Sequence, residues 1–305
     1  EANVKIVQNL STALLMYQSG ILDMAGLTAD FVEPFTSSTE FVSIESPAVY
    51  FWRFNQEVDA LQNKHIRKAI YTAIDRKSLV DILLNNGSKA ATYLVPRGFG
   101  KGPDRKDFRD RYEGFYRDEG EKEAKIYWQK GLQELGTDRL ELDFLTTDHE
   151  LSTNIATYAK EQLESKLTGL TININKQPWN NYLEKEKRLD YDISAGSGWS
   201  PDYPDPSSFL DIFTSDSGNN RMGYTNQKYD ALIERAKTET NFKSRWNMLQ
   251  QAERILIEED IAIVPIYQSG RALLQKPYVK NYVRHGIGAD ASLKWVSIDH
   301  SFGGV

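Results

Sequence analysis

From Leu140 to Trp199 the chain switches back and forth between two hydrophobic periods, and nothing else in the sequence constrains the fold so tightly. LELDFLTT reads as a strand. LSTNIATYAKEQLESKL repeats Leu151, Ile155, Ala159, Leu163 and Leu167 at every fourth position, the stripe of an amphipathic helix. GLTININKQ is strand-like, WNNYLEKEKR helical, and YDISAGSGW strand-like again. Strands separated by helices return to a sheet in the same direction, so this order predicts a parallel β-α-β-α-β lobe of α/β class. Ligands of such open sheets bind beside the carboxyl ends of the strands.

The last of these strands runs into SGWSPDYPDPSSFLDIF. Prolines at 201, 204 and 206 rule out a regular helix or a central strand there. The stretch carries Asp202, Asp205 and Asp211 and no Lys or Arg. A stiff, acidic, aromatic loop at a strand's carboxyl end is the first candidate site.

The rest of the chain fills in around this lobe. VKIVQN at 4–9 reads as a strand, Ser11 or Thr12 as the cap of the helix TALLMYQS, Gly20 as its stop, and ILDMAG as a second strand, giving a β-α-β start with a parallel sheet. AVYFWRFNQ reads as a strand whose Tyr50, Trp52 and Phe54 face away from Phe51, Arg53 and Asn55. Ile66, Ala69, Ile70, Ala73 and Ile74 predict an amphipathic helix, and Asp75 the cap of a second one that ends at Asn86-Gly87. Residues 96–118, rich in Gly, Pro and charge, read as a surface loop. A helix at 120–135, helices over NQKYDALIERAK and FKSRWNMLQQAERILIEE, and IAIVPIYQ as an edge or bulged strand complete the reading.

With 305 residues, two lobes are expected. Net charge is −6 with no basic stripe, which argues against nucleic acid as a partner. There is no Cys, and the four His form no HExxH pair, so thiolate metal sites, a Cys nucleophile and a zincin site are excluded. No apolar run reaches the ~18–20 residues of a membrane span. No cofactor motif stands out. The chain starts inside a strand pattern without an initiator Met, as a piece of a longer protein would.

Six motifs, in order, resemble the oligopeptide-binding family of ABC-transporter solute-binding proteins. They are STALLMYQSGILDMAGL, HIRKAIYTAIDRKSLV, TYLVPRGF, SGWSPDYPDPSSFLDIF, YTNQKYDALIERA and ERILIEEDIAIVPIYQ. PRGFGKGPD looks closest to Gram-positive, lipid-anchored members. The resemblance implies a periplasmic-binding-protein-like fold (type II, cluster C), with one nearly complete α/β lobe and part of the other. It places 1–58 in lobe I, 59–268 in a peptide-binding lobe II, and 269–305 back in lobe I. It implies a monomer outside the membrane, on a Gram-positive cell surface or in a periplasm. That protein captures oligopeptides and passes them to ABC permease subunits, and it meets the membrane only through a lipid anchor on a preceding segment. It implies neither cofactor nor metal.

For the site, the resemblance sets Asp202 against the α-ammonium of a peptide, with Trp199 and Tyr203 as walls and Gly198 and Ser200 along the backbone. From spacing alone Asp202 reads equally well as a turn cap; the resemblance favours ligand contact. Asp205 and Asp211 keep structural readings. Arg53 faces the ligand or is a solvated strand charge, and Trp179 lines the far side of the pocket or packs in the core. Some family members carry Arg at position 196 to hold the carboxyl end of short peptides; Gly196 here favours longer or variable ligands. Competing readings are a glycoside hydrolase or other α/β enzyme using loop carboxylates, and a metal site at Asp202 and Asp205, which lacks EF-hand spacing. Within the family, the alternatives are binders of dipeptides, signalling peptides, haem or nickel complexes. No G-x-S-x-G, P-loop or GxGxxG motif supports an enzyme.

Overall fold

The computed structural model describes residues 2–7, 9–27, 29–110, 120–288 and 291–301. In chain order the elements that matter are α1 (Leu10–Gln18), β1 (Met24–Gly26), β2 (Phe41–Phe54), α2 (Lys64–Ala73) and α3 (Gly120–Leu135). They continue with β3 (Leu140–Thr147), α4 (Glu150–Lys166), β4 (Leu170–Gln177), α5 (Trp179–Lys187), β5 (Ile193–Ser194) and β6 (Gly198–Trp199). The last are α6 (Ser207–Leu210), α7 (Gln227–Thr238), α8 (Phe242–Arg254) and β7 (Ile263–Gln275). Two compact units emerge: Glu1–Pro47 with Lys77–Ala90 and Gln268–Val305, and Ala48–Arg76 with Ala91–Tyr267. Both β2 and β7 run from one unit into the other.

The larger unit holds the predicted lobe. β3 pairs in parallel with β4 from Leu140↔Leu170 to Thr147↔Gln177, and with β5 at Phe144↔Ile193. β2 then adds antiparallel to β5 at Arg53↔Ser194 and to β6 at Val49↔Trp199. The order across this unit is β7-β2-β5-β3-β4. The carboxyl end of β2 is covered on both faces, with Phe51, Trp52, Arg53 and Phe54 all buried. That is why the alternation read from AVYFWRFNQ does not leave Arg53 in solvent. Helix α2 buries Ile66, Ala69, Ile70 and Ala73 as its spacing predicts, and Asn63 caps it by accepting from the His65 and Ile66 amides at 2.8 and 3.2 Å. Buried Arg67 reaches off this helix to the carbonyls of Leu61, Asp260 and Ile261, a structural tether.

The smaller unit departs from the sequence reading. Residues 4–7 form no strand, and Val4 and Ile6 are exposed. α1 is capped by Asn9, whose side chain accepts from the Thr12 amide at 3.0 Å, rather than by Ser11 or Thr12. Gly20 does end it, at φ 78°. β1 pairs antiparallel with β7 at Met24↔Gln275, so no parallel β-α-β unit opens the chain. Its short apolar residues find a partner far along the chain, which local periodicity does not encode. Asp75 precedes a short helical turn, and the chain from Leu79 to Leu84 widens into π-helix before Asn85 stops it in the left-handed conformation at φ 38°. Near the other end, Val283–Arg284 pairs with Ala291–Ser292, and Val279–Lys280 with Ser297–Ile298.

Two further expectations are corrected in the larger unit. The 96–118 run is not all surface: Phe108 and Arg109 are fully buried, and residues 111–119 lie outside the described residues. Arg109 pairs with buried Glu253, whose other oxygen accepts the Leu94 and Val95 amides at 2.8 Å each. β7, which carries Pro265, is not an edge: it lies beside β2, and the Pro265 carbonyl accepts from Arg76 Nε at 2.7 Å.

Candidate functional site

The carboxyl end of β3, the amino ends of α4 and α5, the β5–β6 segment, and residues of β2 and β7 line a cavity of about 410 Å³. Thr147 ends β3 at its floor, and His149, Leu151, Ser152 and Ile155 supply the α4 side. Trp179, the first residue of α5, stands 47 % exposed with its ring stacked on Tyr182, centroids 5.6 Å apart. Tyr50 of β2, also in the lining, stacks on Tyr267 of β7 at 4.7 Å and 11°. Burial, with Tyr50 adding to it, pushes the Tyr267 phenol well above its ordinary value, so this wall stays uncharged.

The strand that closes the cavity can lie there only because two residues lack side chains. A Cβ on Gly198 would stand 2.5 Å from the Val49 carbonyl oxygen and 2.9 Å from Tyr50 Cα, so the close approach is to the neighbouring strand β2. A Cβ on Gly196 would stand 2.6 Å from the Tyr182 ring and 3.0 Å from Thr147 Cγ2. No larger residue, Arg included, enters position 196 while Tyr182 keeps its place.

Beyond β6, one serine holds the loop. Trp199 Nε1 donates to the Ser208 carbonyl at 2.7 Å, and the Asp202 amide donates to Ser208 Oγ at 2.8 Å. Asp205 accepts the Ser207 amide at 2.9 Å, capping the turn into α6, and takes a two-pronged bond from Arg245 at 2.8 and 2.9 Å. Burial alone would raise its carboxyl; the Arg245 and Ser207 bonds outweigh that and hold it below the usual range. Tyr203 donates to Asp211 Oδ2 at 3.1 Å, and burial is the main reason the Asp211 carboxyl lies above its ordinary value. Asp205 and Asp211 thus have structural partners, as read from the sequence.

Behind the cavity wall lies a buried polar knot. Arg53 Nη1 donates to Glu186 Oε1 at 3.2 Å and to Ser197 Oγ at 3.0 Å. The Tyr182 and Ser194 hydroxyls donate to the same Glu186 oxygen at 2.6 and 2.7 Å, and Arg221 reaches the other at 3.3 Å. Burial, with the Glu186 charge beside it, raises the Tyr182 phenol and keeps it a donor. Arg53 is 4 % exposed, neither a solvated charge nor part of the cavity lining.

Of the residues expected in the site, Trp179, Gly198, Trp199 and Ser200 are brought together around the cavity. Asp202 and Tyr203 lie past its rim on the exposed loop, and Arg53 sits behind it. Tyr50, Tyr267, Thr147 and His149 line it without having been singled out. Thr147 and His149 follow from the strand-end rule applied to LELDFLTT; the Tyr50–Tyr267 stack joins positions 217 residues apart and has no local signal. Among the described residues no group of three His, Asp or Glu is placed to hold a metal ion, and no helix is long and apolar enough to cross a membrane.

Residues 1–221 match the family described as bacterial extracellular solute-binding proteins, family 5 middle. The chain belongs to this family. It is 35 % identical over 294 residues to the dipeptide-binding protein DppE of Bacillus subtilis, covering 95 % of this chain and 52 % of that protein. It is 31 % identical over 295 residues to the oligopeptide-binding protein OppA of the same organism, covering 93 % of this chain and 52 % of that protein. An oligopeptide ABC transporter substrate-binding domain from Bacillus anthracis superposes with a TM-score of 0.90 at 40 % identity, over 96 % of this chain and 57 % of that one. The chain spans about half the length of the curated relatives it matches. Its fold is that of the periplasmic-binding-protein-like peptide binders, and its family is one of solute-binding proteins rather than of enzymes.

Proposed function

We propose that this chain is the ligand-gripping part of an extracytoplasmic solute-binding protein that captures oligopeptides and delivers them to the permease of an ABC importer. One observation carries the reading. The loop Trp199–Asp202 is tied down through Ser208 while the Asp202 carboxylate stays exposed, and no described residue places a donor on it. A carboxylate fixed in position without a partner suits a ligand cation. Asp202 then takes the peptide α-ammonium, and Trp199 and Tyr203 flank it. Among the described pairings β6 bonds only to β2, so its other edge is open to a peptide backbone. Arg53 serves from behind, holding Ser197.

On this reading 59–268 is the peptide-binding lobe, and 1–58 with 269–305 belongs to the other. The protein acts as a monomer, anchored by lipid on a Gram-positive surface or free in a periplasm, and catalyses nothing. Position 196 cannot host an arginine clamp for a carboxyl terminus, so peptide length is not fixed there and longer peptides are accepted. The test is to incubate the full-length protein with a peptide mixture, wash it, and read the retained mass. Retained free-amino peptides support capture; retention of none, or peptides shortened during incubation, refutes it.

A further inference from the structure

Ser208, 3 % exposed on the short helix α6, makes two bonds that can be told apart. Its carbonyl accepts from Trp199 Nε1, and its Oγ accepts from the Asp202 amide. The helix that carries it is itself held fast. Phe209 and Leu210 are fully buried, and Phe209 meets Phe99 edge to face with centroids 5.1 Å apart. The Tyr229 hydroxyl donates to the Leu210 carbonyl at 2.6 Å, and Arg245 clasps Asp205 just ahead of the helix. Ser208 therefore offers its two acceptors from a fixed base. The loop they hold is less constrained by itself: Asp202, Tyr203 and Pro204 are exposed, and Pro201 has no N–H to give. Tyr203 has a separate hold, its hydroxyl on Asp211.

We propose that Ser208 is a positioning residue for the ammonium anchor: its hydroxyl holds the Asp202 backbone so that the carboxylate is in place before the ligand arrives, and it acts without touching the ligand. The inference rests on the reading of Asp202 above. Its physical basis is preorganisation. An exposed loop residue loses backbone freedom when its carboxylate is captured, and that loss weakens binding. A hydrogen bond already made in the free protein moves the ordering from the binding step to folding. Ser208→Ala removes the hydroxyl and keeps the carbonyl, so Trp199 stays tethered while Asp202 is released. Alanine suits the helix, and the Asp202 amide, on an exposed residue, turns to water instead.

The experiment is calorimetric titration of the full-length protein, wild type and Ser208→Ala, with tri-, tetra- and penta-alanine in free and N-acetylated form. Ser208→Ala should weaken binding of the free peptides about three- to tenfold, the worth of one net hydrogen bond, and leave the acetylated ones unchanged. The free-over-acetylated ratio then shrinks by that factor. A residue that only supports the fold would weaken both forms alike and leave the ratio where it was. Amide hydrogen exchange on the ligand-free protein gives a check that does not depend on the variant. The Asp202 amide should be protected in wild type; in Ser208→Ala it should exchange faster, with β3 and β4 unaltered. An unchanged ratio, or an unprotected Asp202 amide in wild type, overturns the positioning role and leaves peptide capture standing. Wild type that binds free and acetylated peptides equally well overturns the Asp202 anchor and the role of Ser208 with it. If no alanine peptide binds wild type, capture falls as well.

Discussion

Arg53 Nη1 lies 3.2 Å from Glu186 Oε1, and neither side chain is more than 5 % exposed. The pair joins β2 to α5 underneath the cavity and passes its order to the wall through Ser197. Removing one partner strands a buried charge, which costs far more than the pair is worth. Glu186→Leu should therefore destabilise the protein by about 3–5 kcal/mol in urea unfolding. The double variant Arg53→Met with Glu186→Leu should recover part of that loss, and only part, because Arg221 also bonds Glu186. A single-variant loss below about 1 kcal/mol would show the pair to be solvated.

Gly198→Ala should disturb the site through β2. The added methyl meets the Val49 carbonyl and Tyr50 Cα, both backbone atoms that cannot rotate away. A loss of about 1–3 kcal/mol is expected from such overpacking. Hydrogen exchange should speed up at the β2 and β6 amides and stay unchanged in β3 and β4. Equal protection in all four strands would mean that β6 tolerates a side chain.

The Asp205–Arg245 pair gives a pH signature. Its carboxyl lies below the unfolded value of about 3.9, so its contribution is present above that value and is lost as pH falls through the lower folded pKa. Asp205→Asn keeps a capping oxygen but not the charge. Wild type should exceed it by about 1 kcal/mol at neutral pH. The gap should close towards pH 3. A gap that is constant or grows on acidification contradicts the assignment.

Asp202→Ala in the full-length protein should weaken peptide binding by about one and a half to three and a half decades, the usual loss when a charge pair is truncated. Acetylating the peptide's amino group should cost wild type a similar amount, and the two changes should not add. Acetylated and free peptides binding wild type equally well would leave Asp202 a turn residue.

The sequence by itself determined the elements whose information is local. The β-α-β-α-β lobe, α2, the helix over 120–135 and the cap at Asp205 are repeats of period two or 3.6 with short polar signals at their ends, and each appears where its pattern lies. The family motifs are local in the same sense. What only the tertiary structure decided depends on which distant segments meet. VKIVQN has strand chemistry but no strand partner among the described residues, and β1 pairs with β7 some 250 positions away rather than in parallel with a neighbour. Arg53 reads as a ligand-facing or solvated strand charge until Glu186 of α5 arrives beside it from 133 residues away. The cavity is of the same kind: Trp199 and Trp179 mark it in the sequence, but Tyr50 and Tyr267 become a wall only when β2 and β7 lie side by side, because contact between side chains is set by strand order, which hydrophobic periodicity does not carry.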